Sequence, residues 1–197
     1  MPWDYWTRDR TPKPETEEVF ATLRFVLARH PDHPGANHFY IHAVEAGPNP
    51  EHGLSAANHL LNHAPAAGHL VHMPAHIYMR VGQYADAVVA NERAARADRD
   101  YIRQCRAQGF YPGVYYPHNL HFLWFAATFD GQSKIAIEAA RKTASKVDPE
   151  VMKQLPLLGA FKVVPYYALI RFGRDDEMLA EPAPPSGPPF LFGTYHF

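Results

Sequence analysis

The sequence predicts an all-α protein, and three observations support this prediction. Thr16–Arg29 shows the period of an amphipathic helix, with acidic residues at its start and basic residues at its end. No run of strand length alternates cleanly between apolar and polar residues. Gly82 and Gly131 each separate two helical stretches and precede an alanine-containing helix, which is typical of closely packed helix pairs.

The first half of the chain contains a predicted extended segment and five predicted helices. Residues 1–14 are aromatic and rich in proline, and we expect them to be extended. The helix over 16–29 ends at residues 30–35, where two prolines and a glycine interrupt it. Further helices are predicted over about 36–46, 51–63, 69–81 and 84–108, and Pro74 is expected to kink the fourth helix.

The second half begins with a predicted aromatic loop over 109–117. Helices are then predicted over about 118–129, 133–146 and 149–172, and Pro156 and Pro165 should bend or divide the last one. We expect one helical-repeat domain over 1–175. The segment 176–197 is rich in proline and is predicted to be an extended tail.

Composition limits the classes of partner and compartment. The formal net charge of −1 argues against nucleic acid or a membrane surface as a partner. The lone Cys105 excludes an intrachain disulfide framework and a cysteine-rich zinc module. The first residues lack the basic and apolar regions of a signal peptide. We therefore expect a cytoplasmic protein, or one exported after loss of an N-terminal segment that would make the natural chain longer.

Histidines at helical spacing are the main functional signal. Seven of the 13 histidines lie in three segments, and a spacing of three or four places side chains on one helix face. His72 and His121 both lie 10 residues before a turn glycine, and His69 and His118 both lie 13 residues before one. Imidazole is a common ligand of zinc, copper and iron. The sequence therefore predicts a divalent transition metal, identity open, bound by His38, His42, His72, His76, His118 and His121.

Two further residues are candidates for a catalytic role. Glu45 continues the helix face of His38 and His42, and it could be a ligand, a residue that orients an imidazole, or a general base. Tyr78 lies close in sequence to His76, within reach of the same site. His59 and His63 are also four residues apart, but we expect them on the outer side of a second helix. The expected chemistry is hydrolysis or oxidation of a small or polymeric organic substrate.

Matching segments over 81–87 and 130–136 indicate an internal repeat, and at these residues the chain resembles the tetratricopeptide repeat family. Segments 34–45, 68–82 and 116–121 also resemble bacterial proteins designated only as tetratricopeptide repeat proteins, over about residues 1–175. This resemblance implies a right-handed superhelix of antiparallel helix pairs. It also implies that the first helix of each pair lines a concave groove, into which the histidines would project.

A second function stays open at this point. Grooves of helical repeats commonly hold peptides, so the chain could be a non-catalytic module that binds a peptide or a protein. Histidine, tyrosine and methionine at the groove positions favour a metal or a small ligand instead. Exposed ends of a repeat array also favour self-association, so a homo-oligomer is a further expected partner.

Overall fold

The computed structural model describes residues 4–183 and Gly193. This part of the chain is predominantly helical and contains no strand beyond an isolated bridge between Trp6 and Pro12, which confirms the all-α prediction. The α-helices are α1 Thr16–Arg29, α2 Pro34–Glu45, α3 Leu54–His63, α4 Gly68–His72, α5 Pro74–Val81, α6 Tyr84–Cys105, α7 Tyr116–Phe129, α8 Ser133–Lys146, α9 Pro149–Gln154, α10 Val164–Arg171 and α11 Asp175–Ala180.

The chain divides into two compact units, Met1–Ala97 and Asp98–Phe197, and α6 begins in the first and ends in the second. A helical-repeat domain buries its core between neighbouring repeats, so this division is compatible with one domain or with two. The single domain over 1–175 therefore stays a prediction. Within the described residues, every helix is too short or too polar to cross a membrane.

In the first unit, α2 packs against α1, α3 and α5 around a buried apolar core. Ile41, Leu60 and Ile77 are among the fully buried side chains of this core. A 3₁₀ helix over Pro50–Gly53 lies beside α5, and a Cβ atom on Gly53 would approach Ile77 Cδ1 to 2.5 Å. The absence of a side chain at this glycine therefore allows α5 to pack closely, next to the helix that carries the first histidine pair.

The predicted helix over 69–81 is divided into α4 and α5, which meet at Met73. Met73 keeps helical backbone angles, φ −51° and ψ −37°, and the interruption follows from Pro74, which has no backbone N–H and was expected to kink the helix here. The helix α5 ends at Val81, and the next residue, Gly82, has a φ of 81°, the left-handed conformation that glycine adopts readily. His72 and His76 consequently lie on opposite sides of the joint.

In the second unit, α8 packs against both α7 and α10. The predicted loop over 109–117 is wrong, because Tyr111–Tyr115 forms a π-helix that continues into α7. Gly113 is buried in this π-helix, and a Cβ atom there would lie 3.0 Å from Val151 Cγ2. The absence of a side chain at Gly113 therefore allows this aromatic segment to approach Val151 of α9.

Proline divides the last predicted helix as expected, since Pro156 opens a 3₁₀ helix over Pro156–Val163 and Pro165 lies in the first turn of α10. Residues 176–180, which were predicted to belong to an extended tail, are part of the helix α11. Arg141 of α8 forms ion pairs with Glu177 and Glu181, which attach α11 to the second unit. Residues 184–192 and 194–197 of the predicted tail lie outside the described residues.

We expect the substitution Gly53→Ala to lower the free energy of unfolding by about 1 to 3 kcal/mol, because the added methyl group would displace Ile77 and Val44. The φ of Gly53 is −79°, which alanine adopts without strain, so the loss would come from packing alone. Urea denaturation followed by circular dichroism measures this difference. A variant as stable as the natural protein would show that α5 is not packed as described.

Candidate metal centre

Five histidines of the first unit lie together where α2 meets α4 and α5, and we call them the histidine cluster: His38, His42, His69, His72 and His76. Their ring centroids lie 4.8–5.7 Å apart in the closed order His38, His42, His76, His72 and His69. His72 is fully buried, and His42 and His76 are nearly so. The sequence therefore brings together side chains from two segments about 30 residues apart.

Glu45, at the end of α2, determines which ring nitrogen carries the hydrogen in two members of the cluster. Its Oε1 atom lies 2.7 Å from Nδ1 of His42, and its Oε2 atom lies 2.6 Å from Nδ1 of His76. Burial raises the pKa of Glu45, but the hydrogen bonds from His42 and His76 outweigh this effect and hold the pKa at about 2. The carboxylate is therefore ionised at neutral pH and accepts an Nδ1–H from each ring, so each neutral ring has its lone pair on Nε2.

Asn91 on α6 fixes the tautomer of His72 in the same way. Its side-chain nitrogen donates to the carbonyl oxygen of Ala87 at 2.8 Å, so its Oδ1 atom faces His72 Nδ1 at 2.7 Å. An amide oxygen is only an acceptor, and His72 Nδ1 must therefore carry the hydrogen. Asn91 and His72 are both fully buried, so this bond is shielded from water.

The Nε2 atoms of His72 and His76 face each other at 2.9 Å. When both rings are neutral, two lone pairs point at one another, because each Nδ1 carries the hydrogen. This contact is favourable only when a cation lies between the nitrogens, either a proton on one ring or a metal ion. Two nitrogens about 2.0–2.1 Å from one tetrahedral zinc ion lie about 3.3–3.4 Å apart, so the two rings would separate by about 0.4 Å to hold such an ion between them.

A second set of nitrogens lies on the other side of the cluster. One ligand nitrogen each from His38, His42 and His69 lies within 4.8 Å of the other two. Burial, followed by the like charges of His42 and His76, lowers the pKa of His38 to about 4. His38 is therefore neutral at pH 7, which is the form that binds metal ions. The buried and half-buried histidines of the first unit are thus able to hold a metal ion.

The structure brings together four of the predicted ligands, His38, His42, His72 and His76, and places Glu45 beside them. The predicted ligand set omitted His69, although its distance from Gly82 equals that of His118 from Gly131 and could have identified it. Asn91 was also missed. A lone asparagine on the alanine-rich face of α6 is the signal that could have revealed it.

Three other predicted site residues are His118, His121 and Tyr78. His118 and His121 are on α7 in the second unit, where His121 stacks on Phe161 with ring centroids 4.8 Å apart. Their role as ligands stays a prediction. The hydroxyl of Tyr78 donates to Asn58 Oδ1 at 2.7 Å, and its catalytic role also stays a prediction.

His59 and His63 lie on α3 at the surface, where each Nε2 atom is 3.3–3.4 Å from Oδ1 of Asp32. Each Nδ1 atom donates to the backbone carbonyl four residues earlier in the helix. This pair has the same spacing as His72 and His76, but His59 is half-buried and His63 is exposed.

Comparisons with the models of known protein families, with curated proteins and with solved structures found no match. The tetratricopeptide-like arrangement therefore stays a prediction.

We expect acid to destabilise the second unit partly through His121. Burial lowers the pKa of this ring from 6.5 to about 4 in the folded protein, so between these values the unfolded chain binds the proton more readily. Stability contributed by the neutral ring is complete above pH 6.5 and is lost as the pH falls toward 4. Between pH 7 and pH 4 the natural protein should lose about 1 to 3 kcal/mol more stability than a His121→Gln variant. Parallel stability curves of the two proteins in urea would contradict this expectation.

Proposed function

We propose that this protein is a metal-dependent enzyme whose histidine cluster holds a divalent transition-metal ion. The observation that carries the proposal is the pair of facing Nε2 atoms of His72 and His76, 2.9 Å apart with both Nδ1 atoms committed as donors. A cation between these nitrogens removes the repulsion of their lone pairs. A metal ion does so by accepting both lone pairs, whereas a proton is shared by them, and the ionised carboxylate of Glu45 offsets part of the added positive charge.

The partners of the Nδ1 atoms also support a metal site. Histidines that bind metals commonly donate their second N–H to a carboxylate or a carbonyl group, which fixes the tautomer and the orientation of the ring. Glu45 accepts this bond from His42 and His76, and Asn91 accepts it from His72. We assign Glu45 this orienting role rather than that of a general base, because both of its oxygens are engaged.

The donor set limits the metal and the chemistry. Imidazole nitrogens suit zinc, copper and iron, and the only cysteine, Cys105, is exposed in the second unit. A site with two or three imidazole ligands leaves positions for water or substrate, unlike a closed structural site. A bound ion of this kind polarises a substrate oxygen, activates water or exchanges electrons with oxygen, so we propose hydrolysis or oxidation of an organic substrate.

The proposal is tested by the metal content of protein purified without a histidine tag, measured by inductively coupled plasma mass spectrometry. We expect at least one zinc, copper or iron ion per chain. A His72→Gln/His76→Gln variant should lose the ion bound by these two rings. The matched control is His59→Gln/His63→Gln, which alters a pair of the same spacing on the exposed face of α3.

Circular dichroism of each variant shows whether the helices are retained, and a single His76→Gln variant replaces the double variant if that protein does not fold. Absence of metal from the natural protein, even after incubation with each of the three ions, would contradict the proposal. A protonated imidazole pair would then occupy the cluster, and a non-catalytic binding module would be the better account.

A further inference from the structure

We infer that the histidine cluster contains two metal positions rather than one, and that Glu45 connects them. This inference rests on the proposed function. The first position lies among His38, His42 and His69, and the second lies between His72 and His76. Both would take a divalent transition-metal ion, and water would complete the coordination of each.

The number and spacing of the imidazoles argue against a single ion. An ion about 2.1 Å from a ring nitrogen lies about 3.2 Å from the ring centre, so two rings on one tetrahedral ion have centres about 5.2 Å apart. The observed spacings of 4.8–5.7 Å match this value. They exceed the spacing of about 4.5 Å between rings at right angles around an octahedral ion. A tetrahedral ion accepts four ligands, so five imidazoles at this spacing exceed the capacity of one ion.

The first position has three imidazole donors from α2 and α4. Their ligand nitrogens lie within 4.8 Å of one another, and nitrogens on one tetrahedral ion lie about 3.3 Å apart, so small rotations of the rings would bring them to an ion. Nδ1 of His42 already donates to Oε1 of Glu45, which leaves Nε2 as its ligand atom. Three imidazoles and an open position are the donor set of a catalytic zinc site.

The second position has two imidazole donors whose Nε2 atoms face each other at 2.9 Å, and a separation of about 0.4 Å more would fit them to one tetrahedral ion. Their Nδ1 atoms donate to different residues, His72 to Asn91 and His76 to Oε2 of Glu45. The two oxygens of Glu45 therefore orient one ligand in each position. Asn91, in contrast, acts on the second position alone.

This division predicts different effects for different substitutions. His69→Gln should remove the ion of the first position, and His72→Gln should remove the ion of the second. Asn91→Ala should weaken binding at the second position only, by about 10- to 100-fold, whereas Glu45→Gln should weaken binding at both positions by a similar factor. His59→Gln/His63→Gln should change neither position.

The experiment is a titration of metal-free protein with Zn²⁺, with the bound ions counted by mass spectrometry after removal of free metal. Repetition with Co²⁺ gives visible absorption bands that report nitrogen ligation. We expect two ions per chain in the natural protein and one in each of the folded His69→Gln and His72→Gln variants. One ion in the natural protein would overturn the two positions and leave the proposed function intact, whereas no ion would overturn both. Loss of both ions from a single variant that is still helical would also overturn the division into two positions.

Discussion

The geometry of the cluster depends on one carboxylate. Glu45 is half-buried among imidazoles, and it stays ionised because two Nδ1–H groups donate to it at 2.6 and 2.7 Å. These bonds fix the tautomers of His42 and His76 and therefore determine which nitrogens are left for a ligand. A neutral side chain at this position could not accept both bonds as strongly, and the rings would lose their defined orientation.

The fold brings this carboxylate to its partners through a joint between two helices and a close contact at a glycine. The joint at Met73 separates His72 on α4 from His76 on α5, and their Nε2 atoms face each other across it. Close packing of α5 on Gly53 brings His76 to Glu45 at the end of α2. The joint before Pro74 and the close approach at Gly53 thus lie next to the residues that form the site.

Local patterns predicted the helices and the histidine pairs, but not the long-range contacts of the site. Residues 133–146 were assigned correctly because amphipathic period and turn glycine agree there. The π-helix at Tyr111–Tyr115 was missed because Pro112 and Gly113 argued locally for a loop, whereas the close approach of Gly113 to Val151 is a contact distant in sequence. The helical spacing within α2 predicted that Glu45 lies on the same helix face as His38 and His42. Its bond to His76 and the bond of Asn91 to His72 depend on tertiary contacts, which no single helix pattern contains.

The central claim is that imidazole nitrogens of His72 and His76 bind a metal ion, and X-ray absorption spectroscopy of the metal-loaded protein tests it most directly. The account predicts a first shell of nitrogen or oxygen atoms at about 2.0–2.1 Å for zinc, with the outer scattering of imidazole rings. The imidazole contribution should decrease in a His72→Gln/His76→Gln variant that keeps its helices. A spectrum without imidazole scattering, or one unchanged in this variant, would contradict the claim.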